Sequence, residues 1–332
     1  MKLKDKILEI LEQNRDVHIS GQDLAMRLMV SRNAVWKNVK ILEEGGHKIE
    51  AIRNKGYRLE DDSDKLSQEG IRIHLGKTGN SYDLLVLDTI DSTNDQGKRM
   101  IAEGCRKETI IIANEQISGR GRQGRKFQSP KDTGMYLSLL FYPNKNMEEM
   151  ENITTKTCVA VCRTIEEVST SNAEIKWVND IFVDGLKVSG ILTEAVTDFE
   201  SGTVEALVIG IGINLRTRRE DFDEDIRGIA GSIFPKVGNR NKIAARLIDN
   251  VLEVYENGDE EELMAEYRRR CFLLGKKISY RKNGEMVEAL ALDVNEKGNL
   301  VIIGEDGRRE ILNSGEVSLK KEKEKEKEKE QE

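Results

Sequence analysis

The sequence predicts an α+β multidomain protein: an N-terminal winged helix-turn-helix, a central α/β domain with a largely antiparallel sheet, and a small C-terminal β-barrel. Three observations carry this. The first 60 residues hold 12 Lys plus Arg against 9 Asp plus Glu in a chain of net charge −7, and their apolar residues recur at helical spacing. The middle of the chain interleaves apolar runs with helical stretches, and Asp184-Gly185 between two of the runs is a hairpin signal. The stretch from 277 to 312 reads as short strands parted by Asn283-Gly284, Lys297-Gly298 and Asp306-Gly307.

Leu3, Ile7, Ile10 and Leu11 give a first helical stripe. Ser20 is placed to cap a second helix, with Asp23 in the reciprocal third position and Leu24 and Leu28 turned inward. Met29-Val30 make the turn and Ser31 caps a third helix. On that helix Ala34, Val35, Asn38, Val39 and Leu42 share one face, and Arg32, Asn33, Trp36, Lys37 and Lys40 share the other. An apolar back and a front of Arg, Asn and Lys suit a recognition helix in a DNA major groove. Residues 48–59 then read as a hairpin wing with Lys55 at its tip. From Ser31 onward, Arg32 and Asn33 are candidates for base edges, and Lys37, Lys40 and Lys55 for phosphates. Trp36 either meets a partner or is covered by the wing. The competing structure is a small helical bundle with a solvated polar face.

Asp61-Asp62-Ser63-Asp64 reads as a polar linker, which sets the domains at 1–62, 63–268 and 269–319, with a charged tail of alternating Lys and Glu at 320–332. Central strands are expected at 84–87, 109–113, 135–141, 174–177, 181–183, 188–193 and 206–211, and helices at 93–103, 153–169 and 241–256. No run approaches the ~20 apolar residues of a membrane span and the N-terminus lacks the apolar core of a signal peptide, so the cytoplasm is the expected compartment. Cys105, Cys158, Cys162 and Cys271 form no C-x-x-C pair, and only His18, His47 and His74 stand beside them; neither structural zinc nor a disulfide framework is expected. An acidic chain with a basic head confines any nucleic-acid binding to that head.

The most informative segment is Gly119-Arg120-Gly121-Arg122-Gln123-Gly124-Arg125-Lys126-Phe127. It satisfies the G-x-G-x-x-G pattern of dinucleotide folds, and a strand is expected before it. Its continuation, Lys126-Phe127-Gln128-Ser129-Pro130, is loop chemistry and not a helix start. The better reading is a loop that turns several guanidiniums onto phosphate and carboxylate oxygens, with a solvated basic loop as the alternative.

That segment resembles the signature loop of biotin–protein ligases, and the resemblance runs along most of the chain. Asp91-Ser92-Thr93-Asn94 resembles the family's biotin-binding tetrad, and Gln116 stands where the family keeps a glutamine. Lys176-Trp177-Val178-Asn179-Asp180, Lys187-Val188-Ser189-Gly190-Ile191-Leu192 and Gly210-Ile211-Gly212-Ile213-Asn214 come in the family's order. The head makes the match one to the bifunctional bacterial type, biotin–[acetyl-CoA-carboxylase] ligase plus biotin-operon repressor. Val178 departs from the family's usual proline.

The resemblance implies an SH3-like C-terminal barrel, biotin and ATP as substrates with Mg²⁺, and formation of biotinyl-5′-AMP. It implies as partners a biotin carboxyl carrier protein or equivalent carboxylase domain, operator DNA, and a second copy of the chain in a ligand-promoted homodimer. It places Ser92, Thr93, Asn94, Gln116, Arg120, Gly121, Arg122 and Lys187 around biotin. Arg120, Arg122, Phe127, Asn179, Asp180 and Asn214 fall around the adenylate, with Asp180 also at magnesium. Lys187 and Arg122 become the catalytic cations, because two anions meet in the first step. Without the resemblance, Asp91–Asn94 is a helix cap and Lys187 an ordinary lysine opening a hairpin strand. Two other functions compete: a ligand-sensing regulator without ligase activity, and a ligase for another acyl acid such as lipoate.

Overall fold

A computed structural model describes residues 2–197, 202–236 and 239–319; the charged tail at 320–332 lies outside them. The head consists of α1 (Leu3–Gln13), α2 (Gly21–Leu28), α3 (Arg32–Glu44) and a hairpin of β1 (Ile49–Ile52) and β2 (Gly56–Leu59). Its caps are those the sequence announces. Ser20 Oγ accepts from Asp23 N at 3.0 Å and Ser31 Oγ from Ala34 N at 3.1 Å. Met29, at φ 53°, ends α2 in the left-handed region and turns the chain into α3. Ile7, Leu11, Leu24, Val35, Val39, Leu42 and Leu59 close a separate small core. Trp36 is 50% exposed, so the hairpin does not cover it.

The central domain adds α4 (Gln68–Arg72), α5 (Lys77–Ser81), β3 (Asp83–Ile90), α6 (Thr93–Ala102), β4 (Thr109–Gln116), β5 (Gly134–Phe141), the two-residue β6 (Lys145–Asn146) and α7 (Ile153–Val168). After these come β7 (Glu174–Lys176), β8 (Asp180–Val183), β9 (Leu186–Thr197), β10 (Thr203–Asn214), α8 (Arg240–Glu256) and α9 (Glu260–Arg270). The sheet runs β3-β4-β5-β10-β9-β8-β7, with β6 beside β10. Among the described residues only the β3–β4 ladder is parallel, which agrees with the expected antiparallel character. The strands' two-residue period sorts side chains by face. Leu207, Ile209, Ile211 and Ile213 of β10 join Ile110, Ile112, Leu137 and Leu139 in the core built with α7 and α8. Ala206 and Val208 turn to the other face, where Ile101 and Leu140 complete a smaller cluster under α6. Further along that second face the bulky residues stop. Ser138, Gly210 and Gly212 take their places, and a cleft opens there.

The C-terminal unit consists of β11 (Lys277–Lys282), β12 (Glu285–Val294), β13 (Leu300–Gly304), β14 (Arg309–Leu312) and β15 (Val317–Leu319), in the order β14-β13-β12-β11-β15 and all antiparallel. Among the described residues no ladder joins β14 to β15, so the β domain is present without a closed barrel.

The expected linker is pinned. Ser63 is 1% exposed, and Arg240, 2% exposed, donates through Nε and Nη2 to the Asp64 carbonyl at 3.1 and 3.0 Å. The same guanidinium reaches Asn114 Oδ1 at 2.5 Å and Asp132 Oδ1 at 2.8 Å, and Arg216 pairs with the Asp64 carboxylate at 2.5 Å. A buried arginine is tolerable only when its donors are so satisfied.

Candidate active site

The cleft on the α6 side gathers all twelve residues expected around biotin and adenylate: Ser92, Thr93, Asn94, Gln116, Arg120, Gly121, Arg122, Phe127, Asn179, Asp180, Lys187 and Asn214. Six cationic side chains line it (Arg120, Arg122, Arg125, Lys126, Lys176 and Lys187) against the carboxylates of Asp180 and Glu316. The surplus favours an anionic occupant.

One end is a neutral hydrogen-bonding wall. Ser92 caps α6, accepting from Asp95 N at 3.4 Å, so the tetrad is a helix cap as well as a cleft wall. Gln116 Oε1 accepts from Thr93 N at 2.9 Å and from Thr93 Oγ1 at 3.0 Å, while its Nε2 donates to Ser129 Oγ at 2.9 Å. Ser138 Oγ lies 2.7 Å from Thr93 Oγ1 and 2.6 Å from Asn94 Oδ1. Asn94 Nδ2 donates to Leu192 O at 3.2 Å and to Glu194 Oε2 at 2.9 Å. Nearly every polar group is bonded to a neighbour, which pre-orients the wall for a neutral polar ligand such as a ureido ring.

The glycine-rich segment is a tight hairpin and not a helix start. Gly121 N donates to Arg125 O at 2.7 Å and Phe127 N to Gly119 O at 2.8 Å, around a single short 3-10 turn at Arg122–Gly124. A Cβ on Gly119 would lie 2.3 Å from Phe127 O, so only glycine lets the two arms approach. Phe127 folds back until its Cε1 is 2.4 Å from where a Cβ on Gly212 would sit, which explains the bare glycine at that point of β10.

The cations divide. Arg122 Nη1 donates to Asn179 Oδ1 at 3.2 Å, and Lys187 Nζ lies 2.6 Å from Asp180 Oδ1. Arg120 instead points to the rim, 2.7 Å from Asp95 and 3.2 Å from Glu194, where Lys98 joins both carboxylates. Burial alone would raise the Asp95 carboxyl, but hydrogen bonds from Lys98 and Arg120 bring it below its ordinary value. Arg125 pairs with Glu316 of the C-terminal unit, which holds Glu316 below the usual carboxylate range.

Two contributors carry no signal in the sequence. The first is the segment around Ile226, Ile229 and Ala230. Lys187 N donates to Ile229 O at 2.7 Å, Gly231 N to Lys187 O at 2.9 Å, and Asn214 Nδ2 to Gly231 O at 3.0 Å, so this segment closes the cleft over Lys187 and Asn214. It has no helical or strand period to announce it. The second is Gly315–Val317, brought in from another unit. Asn214 Oδ1 is buried without a protein partner, an acceptor left for a ligand. The Trp177–Val178 peptide, where the expected proline is missing, is cis.

The DNA candidates form a separate group on the head. Ser31, Arg32, Asn33, Lys37 and Lys40 are exposed along the start and outer face of α3, and Lys55 is exposed at the hairpin tip. Ser31 is engaged as the helix cap, and Lys40 pairs with Glu43 at 2.6 Å.

Among the described residues no helix is long and apolar enough to cross a membrane, and no cluster of three or more His, Cys, Asp or Glu could hold a metal ion. Comparison with known proteins agrees with this layout. The Biotin/lipoate A/B protein ligase family matches residues 86–214, an HTH domain matches 4–58, and the Biotin protein ligase C terminal domain matches 273–320. The Bifunctional ligase/repressor BirA of Bacillus subtilis (strain 168) is 34% identical over 254 residues, covering 76% of this chain and 77% of that one. Its Bacillus spizizenii counterpart is 30% identical over 319 residues, 94% and 97% of the two chains. Among solved structures, the biotin protein ligase of Aquifex aeolicus in complex with biotin and ATP superposes with a TM-score of 0.60 at 26% identity, covering 72% of this chain and 98% of that one. With a helix-turn-helix head, a ligase-fold cleft and a C-terminal β domain in that order, the chain belongs to the biotin protein ligase family, in its bifunctional ligase/repressor form.

Proposed function

We propose that the cleft activates biotin with ATP as biotinyl-5′-AMP and then transfers it to a lysine of a biotin carboxyl carrier protein or an equivalent carboxylase domain. The observation that carries this is the convergence of Lys187 and Arg122 on adjacent residues, Asp180 and Asn179, in the cleft that also holds the Thr93–Gln116 wall. In the first step the biotin carboxylate attacks the α-phosphorus and pyrophosphate leaves. Lys187 exchanges Asp180 for the two approaching anions and stabilises the charge that builds between them. Arg122 grips the mixed anhydride. In the second step the acceptor amine attacks the acyl carbon and AMP departs. Phe127 offers a ring face to adenine, and the free Asn214 Oδ1 an acceptor for its amino group.

Once Lys187 leaves Asp180 for the anions, the carboxylate that now stands 2.6 Å from its Nζ is released as a single protein ligand for magnesium. Among the described residues no carboxylate cluster accompanies it, so magnesium enters with the nucleotide and is held mainly by that substrate's phosphates.

Residues 1–62 act as a winged DNA-binding head, 63–268 as the ligase domain, and 269–319 as an SH3-like unit, in a cytoplasmic protein. Arg32 and Asn33 read base edges from the helix that Ser31 caps, while Lys37, Lys40 and Lys55 hold phosphates. Adenylate ordering of the Arg120–Phe127 hairpin favours a homodimer that represses at a two-fold operator. Linkage then requires the dimer to bind adenylate more tightly by the same factor.

Exchange of labelled pyrophosphate into ATP tests the chemistry. Biotin-dependent exchange is expected; exchange that answers to lipoate instead, or binding of biotin with no exchange, would replace the reading by an acyl ligase of other specificity or a pure sensor. Sedimentation equilibrium with and without biotin plus ATP tests the dimer, and an association constant indifferent to both ligands would remove ligand control of the head.

A further inference from the structure

We infer that Tyr267 is a positioning residue for the nucleotide half of the reaction, acting through the Val178 carbonyl on Asn179; this rests on the ligase reading above. Asn179 is held with little freedom. Its Nδ2 donates to Ile191 O at 2.8 Å and its carbonyl accepts from Ile191 N at 3.0 Å, which leaves Oδ1 facing Arg122 at 3.2 Å. The peptide unit that leads into Asn179 is fixed from behind the sheet. Tyr267 Oη, on α9, donates to Val178 O at 3.1 Å, and Cys158 Sγ, on α7, approaches the same oxygen at 3.4 Å. One residue earlier, Trp177 Nε1 donates to Gly298 O of the C-terminal unit at 2.8 Å.

Tyr267 and Cys158 are both 0% exposed within the main hydrophobic core. A phenol placed there to fill space leaves a hydroxyl to satisfy, and phenylalanine would fill the same volume at no polar cost. The hydroxyl is aimed at the one carbonyl whose orientation sets the direction of Asn179. Burial drives the Tyr267 phenol and the Cys158 thiol well above their ordinary values, so both remain protonated donors across the working pH range. The biotin wall is reached by none of these bonds.

The test is a double-mutant cycle on the full chain, with Tyr267→Phe, Asn179→Ala and the pair, read by biotin-dependent pyrophosphate exchange. Tyr267→Phe is expected to lower kcat/KM for ATP about tenfold, the upper end of what loss of one hydrogen bond carries, with the KM for biotin unmoved. In the Asn179→Ala background the same change should have no further kinetic effect, because its target is gone. Wild-type ATP kinetics in folded Tyr267→Phe would overturn the assignment, as would equal losses for biotin and ATP or full additivity with Asn179→Ala. Should Tyr267→Phe fail to fold, Cys158→Ala removes the second contact to the same oxygen and is read in the same cycle. Absence of exchange in the wild-type protein would instead defeat the ligase reading, which keeps the two failures apart.

Discussion

Replacing Gly210 by alanine tests the biotin wall without substituting any of the residues expected around biotin. Gly210 lies between Ser138 of β5 and Leu192 of β9, and a Cβ there would stand 2.0 Å from Asn94 Oδ1 and 2.8 Å from its Cγ. Asn94 has no slack to give. It is 4% exposed, its backbone is fixed in the first turn of α6, and its amide is engaged by Ser138, Leu192 and Glu194 at 2.6, 3.2 and 2.9 Å. The amide must therefore swing away. Two or three hydrogen bonds of about 0.5–1.5 kcal/mol each are lost, some leaving buried partners unpaired, so the expected destabilisation is about 2–4 kcal/mol. At roughly 2–4 °C per kcal/mol for a domain of this size, the melting temperature should fall by about 10 °C. Loss of one aligned hydrogen bond to the ligand should raise the KM for biotin about tenfold, while the KM for ATP holds. Thermal melts and steady-state pyrophosphate exchange read both quantities. A variant that melts like wild type and keeps its biotin KM would show that Asn94 neither braces β10 nor faces biotin.

Lys187→Ala and Arg122→Gly should each lower exchange about 10²–10³-fold, the cost of one charge-stabilising donor, in a protein that still folds; an unchanged rate in the lysine variant removes its catalytic role. Arg122→Gly should also release the mixed anhydride, seen as biotin on bystander lysines. Deleting residues 1–62 keeps Asp64 on Arg240 and should preserve catalysis while abolishing operator binding; a folded but inactive remainder would place the head in the active site. Burial, aided by Lys65 and Arg15, pushes His47 from its ordinary 6.5 down to about 4. Its neutral form is favoured in the folded head, so that stability is present above about pH 6.5 and is lost as pH falls toward about 4, where the unfolded chain takes up the extra proton. Melting of the head in wild type and His47→Gln should converge on acidification, and parallel pH profiles would count against it.

Much of this molecule is written in local chemistry. Ser20 and Ser31 cap the helices they precede, Asp184-Gly185 turns β8 into β9, and the glycine-rich loop, tetrad and two lysine-bearing strands meet in one cleft. The rest is set by tertiary partners. α9 is not legible in the sequence because Leu263, Met264 and Tyr267 are few among seven charged neighbours, and its apolar stripe is visible only once it packs against α7. Arg120 is expected inward with Arg122, yet it turns to the rim because Asp95 and Glu194 reach it from α6 and β9. The closing segment around Ile229 and the Glu316 turn carry no motif. They belong to the site only because Lys187 and Arg125 lie beside them.

The buried guanidinium of Arg240 changes what kind of object the head is. A head on a loose tether samples many orientations, and the gap between two such heads is decided by the DNA that captures them. Here Arg240 ties residue 64 to the strand end at Asn114 and the loop at Asp132, and the head holds the residue before it, with Arg15 Nη2 donating to Ser63 O at 3.0 Å and Lys48 N to Ser63 Oγ at 3.1 Å. In any two-fold assembly of such chains, the distance and angle between recognition helices become properties of the protein itself. The proposed dimer would then act as a fixed caliper, to which an operator comes already cut to length.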